Sequence, residues 1–144
     1  MVFPMHSRLN PTDTQRHATF ARWLFRVTGI YGLLMITPLF FSEARFGRDF
    51  PPPINHPEYF HGFASVGFAW QVLFLVLASD PVRYRLMMLP AFLEKAGFAL
   101  VVGVLFLQQR VTAVSLVPAF VDLILGALFL VAFWKTRDLR QPGV

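Results

Sequence analysis

Two carboxylates in apolar surroundings are the residues of this sequence best placed to do chemistry. Glu94 follows Pro90 by four residues in the segment Leu-Pro-Ala-Phe-Leu-Glu, and Asp122 follows Pro118 by four residues in Val-Pro-Ala-Phe-Val-Asp. Residues four apart share a helix face, so each proline and its acid are expected to face the same way. A carboxylate inside an apolar segment is rare and costly, which makes both acids candidate catalytic residues.

The two prolines favour irregular backbone beside the acids. A proline within a helix removes one N–H donor and would free carbonyl groups near Leu86 and Val114. Irregular helices at a polar level are typical of ligand and ion sites in membranes. The matching segments lie on successive, oppositely directed spans, so they are either an inverted repeat or a chance similarity.

Composition indicates a membrane protein. The 144-residue chain is 56% hydrophobic and only 15% charged, whereas typical soluble domains are about a quarter charged. We predict an all-α fold: an integral membrane four-helix transmembrane bundle, with residues 1–144 as a single membrane domain. The absence of cysteine excludes disulfides, iron–sulfur clusters and cysteine nucleophiles. Basic residues flank apolar segments rather than forming one patch, so no nucleic-acid partner is expected.

The predicted spans are four apolar segments, at about residues 22–41, 59–79, 86–109 and 111–134. The outer loop, residues 42–58, contains three consecutive prolines, which favour an extended polyproline conformation. Cap-type residues at positions 10–13 predict the start of a lead-in helix. This helix is expected to run along the membrane surface before the first span.

Basic residues also predict the orientation of the chain. Nine lie with the termini and the second connection: Arg8, Arg16, Arg22, Arg26, Arg83, Arg85, Lys135, Arg137 and Arg140. Three lie on the opposite side: Arg45, Arg48 and Arg110. Lys95 lies inside a predicted span and belongs to neither group. The positive-inside rule then places both termini in the cytoplasm. The predicted location is the cell (cytoplasmic) membrane, as a multi-pass protein.

The rise of a helix predicts which polar residues share a depth. At about 1.5 Å per residue, Tyr31, Gln71, Glu94 and Asp122 each lie roughly 12–14 Å from the inner edge of the membrane. Lipid offers no hydrogen-bond partners, so these residues are expected to converge inside the bundle. The predicted ligand-binding residues are Tyr31, Trp70, Gln71, Lys95 and His61.

The sequence leaves two alternatives for the position of the Lys95 side chain. It lies about 100° around the helix from Glu94, so the two side chains are not expected to face the same centre. Lys95 either extends to the aqueous edge or pairs with one acid. In the second case the other acid lacks a cation and, as a neutral group, could carry protons or hold the polar end of an apolar ligand. It could equally tie two helices together by a hydrogen bond.

A metal site at the outer interface is a weaker hypothesis. His56, Glu58 and His61 could offer zinc two imidazoles and a carboxylate. Their spacing does not match the two-histidine zincin helix, and Pro57 argues against a regular helix there. We therefore predict no metal site, and no motif predicts a cofactor.

From about Val27 to Trp134 the chain resembles, in outline, small bacterial four-span proteins, including the DoxX-like and EXPERA groups. The similarity lies in the number of spans and in acids at mid-depth. The EXPERA resemblance implies an apolar, sterol-like ligand between the helices, with acidic residues handling protons.

Three functions fit these patterns. The first is binding, with or without proton-transfer chemistry, of a small apolar molecule such as a quinone or isoprenoid lipid. The second is a proton-coupled transporter or channel subunit, which with only four spans is expected to form a homo-oligomer. The third is an accessory subunit of a larger membrane complex. All three share the lipid bilayer as a partner, and whether the protein is an enzyme stays open.

Overall fold

The structure is a computed structural model that describes residues 11–51 and 53–137. All regular secondary structure in these ranges is helical. There the chain forms five α-helices joined by turns: α1 (Pro11–Ile36), α2 (Glu43–Asp49), α3 (Pro57–Ser79), α4 (Met88–Leu107) and α5 (Leu116–Lys135). Within these ranges there is no β-strand, which confirms the predicted all-α class.

Four of the helical segments are long and apolar enough to cross a membrane. With their adjoining 3₁₀ turns they are Thr14–Phe41, Pro57–Ser79, Arg85–Leu107 and Ala113–Lys135. Each matches one predicted span. Many large apolar side chains on these helices are exposed, including Leu34 at 71% and Leu107 at 82%, as expected for a surface that contacts lipid. The helical content and surface are those of a membrane protein.

One prediction about the start of the first span is corrected. The lead-in helix is not a separate surface element, because α1 continues without a break from Pro11 to Ile36. The connection over residues 42–58 contains a short helix that was not predicted, α2 at Glu43–Asp49. The extended conformation was predicted for the three prolines after it, of which Pro52 lies outside the described residues. Glu43 lies in the first turn of α2 and Arg48 in its last, charges that complement the helix dipole.

The backbone is irregular near Leu86 and Val114, as the two prolines predicted, but it is regular α-helix at the acids themselves. Pro90 and Pro118 are each the third residue of their helix, after 3₁₀ turns at Arg85–Met87 and Ala113–Ser115. The first-turn N–H groups of a helix have no intrahelical partner, so proline costs little there. The prolines therefore mark helix starts, and each acid is the seventh residue of a regular helix.

The helices pack as two pairs, α1 against α3 and α4 against α5, joined mainly through α1 and α5. We call the end with the start of α1, the end of α5 and the 80–84 turn the termini end. The opposite end, with residues 42–56 and 108–112, is the loop end. The buried core lies toward the termini end and has nine members: Ala21, Phe25, Phe74, Leu77, Ala78, Met88, Ala91, Phe129 and Ala132. The four alanines among them let the helices approach closely.

Candidate functional site

A layer of three phenylalanines, here called the phenylalanine layer, separates the packed end of the bundle from the rest. Phe25 of α1, Phe74 of α3 and Phe129 of α5 are fully buried. The Phe25 and Phe129 rings stack with centroids 4.4 Å apart, and the Phe74 ring meets Phe129 edge-on at 5.2 Å. These are favourable aromatic geometries. The layer fills the space between three helices on the termini side of the acids.

On the loop side of this layer lies a partly open cavity of about 270 Å³ between the four long helices. Its most exposed lining residues include Tyr31, Met35, Phe63 and Val66. The opening therefore lies in the apolar surface of the bundle. The lining is mainly apolar with a few polar groups: Thr28, Tyr31, Gly32, Met35, Ile36, Phe63, Val66, Gly67, Trp70, Gln71, Glu94, Lys95, Phe98, Pro118, Val121, Asp122 and Leu125.

The structure brings together six of the seven residues singled out from the sequence. They line this one cavity: Tyr31, Trp70, Gln71, Glu94, Lys95 and Asp122. The common depth predicted from helical rise concerned four of them, Tyr31, Gln71, Glu94 and Asp122, and these four line the same cavity. The seventh, His61, does not line the cavity.

Lys95 joins the two acids. Its Nζ lies 3.1 Å from Asp122 Oδ1 and 3.3 Å from Glu94 Oε2, and it donates a hydrogen bond of 3.4 Å to Glu94 Oε1. The same ammonium lies 5.6 Å from the centre of the Phe74 ring, within cation–π range. The Lys95 ammonium thus bridges α4 and α5 on the loop side of the phenylalanine layer.

The expectation that Lys95 and Glu94 would not face one centre is wrong. Lys95 is only 6% exposed, so it does not extend to an aqueous edge. Its four-carbon stem is long enough to bend back across the helix surface toward its neighbour. Gly126 on α5 lies opposite the start of that stem, and a Cβ there would be in ordinary van der Waals contact, 3.5 Å from Lys95 Cβ.

Gln71 supplies a buried amide with unused hydrogen-bonding capacity. Its Nε2 donates to the carbonyl oxygen of Gly67 at 3.2 Å, which fixes the amide orientation because a carbonyl can only accept. Gln71 Oε1 is buried without a hydrogen-bond partner among the described residues, whereas the buried Glu94 Oε2 has the Lys95 ammonium 3.3 Å away. Gly32 accommodates the Gln71 side chain, which a Cβ at that position would overlap. The site therefore contains a buried acceptor, the Gln71 amide oxygen, for which the described residues supply no donor.

His61 belongs to a contact at the loop end. Its Nε2 lies 2.9 Å from Glu43 Oε2, linking α3 to α2, and both side chains are partly exposed. His56 pairs separately with Glu58, at 3.1 Å. Over the described ranges no group of three or more His, Asp or Glu side chains is arranged to hold a metal ion. His61, which was predicted as a ligand-binding residue, therefore lies outside the cavity and links α3 to α2.

Sequence reasoning missed two aromatic residues of the cavity wall, Phe63 and Phe98. Their rings face each other across α3 and α4 with centroids 6.2 Å apart. A spacing signal was present, since Phe63 precedes Trp70 by seven residues and Phe98 follows Glu94 by four. Such spacings place residues on one helix face. Among 17 phenylalanines, that signal did not stand out.

No family model, curated protein or solved structure matches this chain. The geometry of the cavity is therefore the basis for its proposed function.

Proposed function

We propose that the protein binds a small apolar molecule carrying a polar group, such as a quinone or isoprenoid lipid, in the cavity between its four long helices. The observation that carries this proposal is the cavity itself: an apolar, aromatic space onto which charged and amide side chains from α3, α4 and α5 converge. Ligand sites typically combine apolar walls with a small number of placed polar groups.

The size and opening of the cavity support a ligand that is only partly enclosed. At about 270 Å³ it is slightly below the range of about 300–1,000 Å³ that holds a drug-sized molecule. The polar group and adjoining carbons would lie inside, and the rest of the molecule would leave through the opening past Tyr31 and Met35. That opening lies in the lipid-facing surface, which is where an apolar ligand is dissolved.

The phenylalanine layer favours binding over conduction. A channel needs a continuous polar path, whereas Phe25, Phe74 and Phe129 fill the described bundle between the cavity and the termini end. Lys95 is also held by two acids and an aromatic ring. The site has the form of a pocket that opens to one side.

The proposed setting is the cell membrane with both termini in the cytoplasm. The support is the distribution of basic residues: Arg16, Arg22, Arg83, Arg85, Lys135 and Arg137 lie toward the termini end, and Arg45, Arg48 and Arg110 toward the loop end. Of the other three residues counted with the first group, Arg26 lies in the middle part of α1, next to Phe25, and Arg8 and Arg140 lie outside the described residues. Cytoplasmic loops carry the excess of Lys and Arg in membrane proteins.

The test is to purify the protein in mild detergent and identify by mass spectrometry the small molecules that stay bound. Wild type is compared with Glu94→Gln, Asp122→Asn and the cavity-filling variant Val66→Trp. The matched control is Val72→Trp, because Val72 is also an exposed valine on α3 but does not line the cavity. We expect one molecule enriched in wild type and in Val72→Trp, and depleted in the other three.

If all five proteins carry the same bulk lipid, the proposal fails. The cluster of Glu94, Lys95 and Asp122 would then be a structural or proton-path feature. The transporter and accessory-subunit hypotheses would move ahead.

A further inference from the structure

The balance of charge in the cavity bears on the chemistry of its ligand. Two carboxyl groups, Glu94 and Asp122, meet one ammonium, Lys95. No other Lys or Arg is among the residues that line the cavity. An uncompensated charge in apolar surroundings is costly, so the second acid takes up either a proton or an external cation.

The hydrogen-bonding groups of the cavity lining are also unbalanced, with too few donors for the acceptors present. Gln71, which lines the cavity and is 1% exposed, has its Oε1 without a donor among the described residues. The donors of Lys95 are already directed at the two acids. The lining thus has a spare acceptor, and a carbonyl-only group such as that of an oxidised quinone would add another.

The apolar part of the wall is aromatic. Tyr31, Phe63, Trp70 and Phe98 line the cavity. Aromatic faces attract organic cations, and the attraction is largest where the cation is desolvated. The acids, the spare acceptor and the aromatic rings therefore all favour a cationic group that donates hydrogen bonds.

From these three features we infer that the ligand's polar group is a protonated amine, so that the cavity binds apolar amines through Glu94, Asp122 and Gln71. This inference rests on the proposed binding function and narrows its ligand class. The ammonium would donate hydrogen bonds to the Gln71 amide oxygen and to the carboxyl groups of Glu94 and Asp122, and it would supply the second positive charge.

The test compares 1-adamantylamine with 1-adamantanol, which share one rigid apolar body and both carry a hydrogen-bond donor. Only the amine is a cation at neutral pH. Trp70, which lines the cavity, reports binding by its fluorescence in a Trp23→Phe/Trp134→Phe background, since these are the three tryptophans of the chain. The protein is reconstituted in lipid nanodiscs, and empty nanodiscs correct for partition of the probes into lipid.

We expect the amine to bind at least about tenfold more tightly than the alcohol, a difference of about 1.4 kcal/mol. Asp122→Asn or Glu94→Gln should reduce this preference to within about twofold. The control Glu58→Gln, an exposed acid on α3 outside the cavity, should leave it unchanged.

Equal binding of the two probes to the wild-type background would overturn the amine inference while leaving the proposed binding function intact. No saturable response of Trp70 to either probe would also overturn it, and the retained-molecule experiment then decides the binding function separately. Because the comparison of the two probes needs no change at either acid, it holds even if the acid variants do not fold.

Discussion

At the scale of single residues, Lys95 is the group on which the site depends. It is buried and lies within 3.3 Å of a carboxylate on each of two helices. Its long stem lets it reach both. The helix that carries it thereby gains a charged contact with α5 at the centre of an apolar bundle.

Replacing Lys95 by methionine should destabilise the protein strongly. The variant leaves two carboxyl groups facing each other without a cation, and breaking a buried ion pair typically costs about 3–5 kcal/mol. Lys95→Met/Glu94→Gln/Asp122→Asn should recover much of the loss, because no charge is then stranded. The measurement is unfolding by SDS from mixed micelles, with Lys135→Met, at an exposed lysine, as the control. A Lys95→Met protein as stable as the control would contradict the bridging role.

Gly32 sets how closely α1 approaches α3 beside the cavity. A Cβ at residue 32 would overlap the Gln71 side chain, so Gly32→Ala should cost about 1–3 kcal/mol, the usual range for overpacking. Gly103→Ala on α4 is the control, because a Cβ there meets nothing within 4 Å; it should be neutral or stabilising by up to about 1 kcal/mol.

The same SDS titration measures both glycine variants. Adding Gln71→Ala to Gly32→Ala should cost less than the sum of the single changes, since the overlap is removed. Additive costs would show that residues 32 and 71 do not contact.

At the scale of helices, the phenylalanine layer joins α1, α3 and α5, and α2 is joined to α3 by Glu43 and His61. The first contact is buried and the second is partly exposed. Their contributions to stability should therefore differ widely. The bundle is held mainly at its termini end, which leaves the loop side free to form the cavity.

Phe129→Ala should destabilise the bundle by about 2–3 kcal/mol. This is somewhat less than in a soluble core, because the separated helices are already in an apolar medium. Phe120→Ala, on the same helix but 64% exposed, should change stability by less than about 0.5 kcal/mol. Both are measured by SDS unfolding, and equal effects would mean that the layer does not pack as described.

Glu43→Gln should loosen α2 without weakening the bundle. The contact between Glu43 and His61 is partly exposed, and pairs of this kind contribute about 0–1 kcal/mol. Amide hydrogen exchange over residues 43–49 should become faster, while the midpoint of bundle unfolding stays the same. A large drop in that midpoint would assign α2 a role in holding the whole bundle.

At the scale of the whole molecule, the cavity lies between two helix pairs, closed toward the termini end and open to the apolar surface. We propose its orientation in a membrane from the charges at the two ends. That orientation decides whether the phenylalanine layer faces the cytoplasm, as we propose.

The orientation is directly testable because the chain has no cysteine, so single cysteines need no altered background. Asn55→Cys, in the loop before α3, should react with a membrane-impermeant maleimide in intact cells. Ser79→Cys, at the end of α3, should react only after the membrane is permeabilised. The reverse labelling pattern would overturn the proposed topology.

The sequence by itself determined the number and type of the long helices, since four apolar runs of about 20 residues each can satisfy their backbone groups only as helices in lipid. It also determined that Tyr31, Gln71, Glu94 and Asp122 would lie at comparable positions, because helical rise is constant. The sequence did not predict the short helix α2, because the three prolines that follow it favoured an extended conformation there.

Only the tertiary structure decided how the polar residues combine. The Lys95 side chain is directed at Asp122 of α5, a residue that is not near it in the chain. The space lined by Phe63 and Phe98 depends on how far α3 stands from α4, and the place of His61 on its contact with Glu43. Spacing along one helix fixes a face, but the partner of that face is set by packing between helices, which is where this site is made.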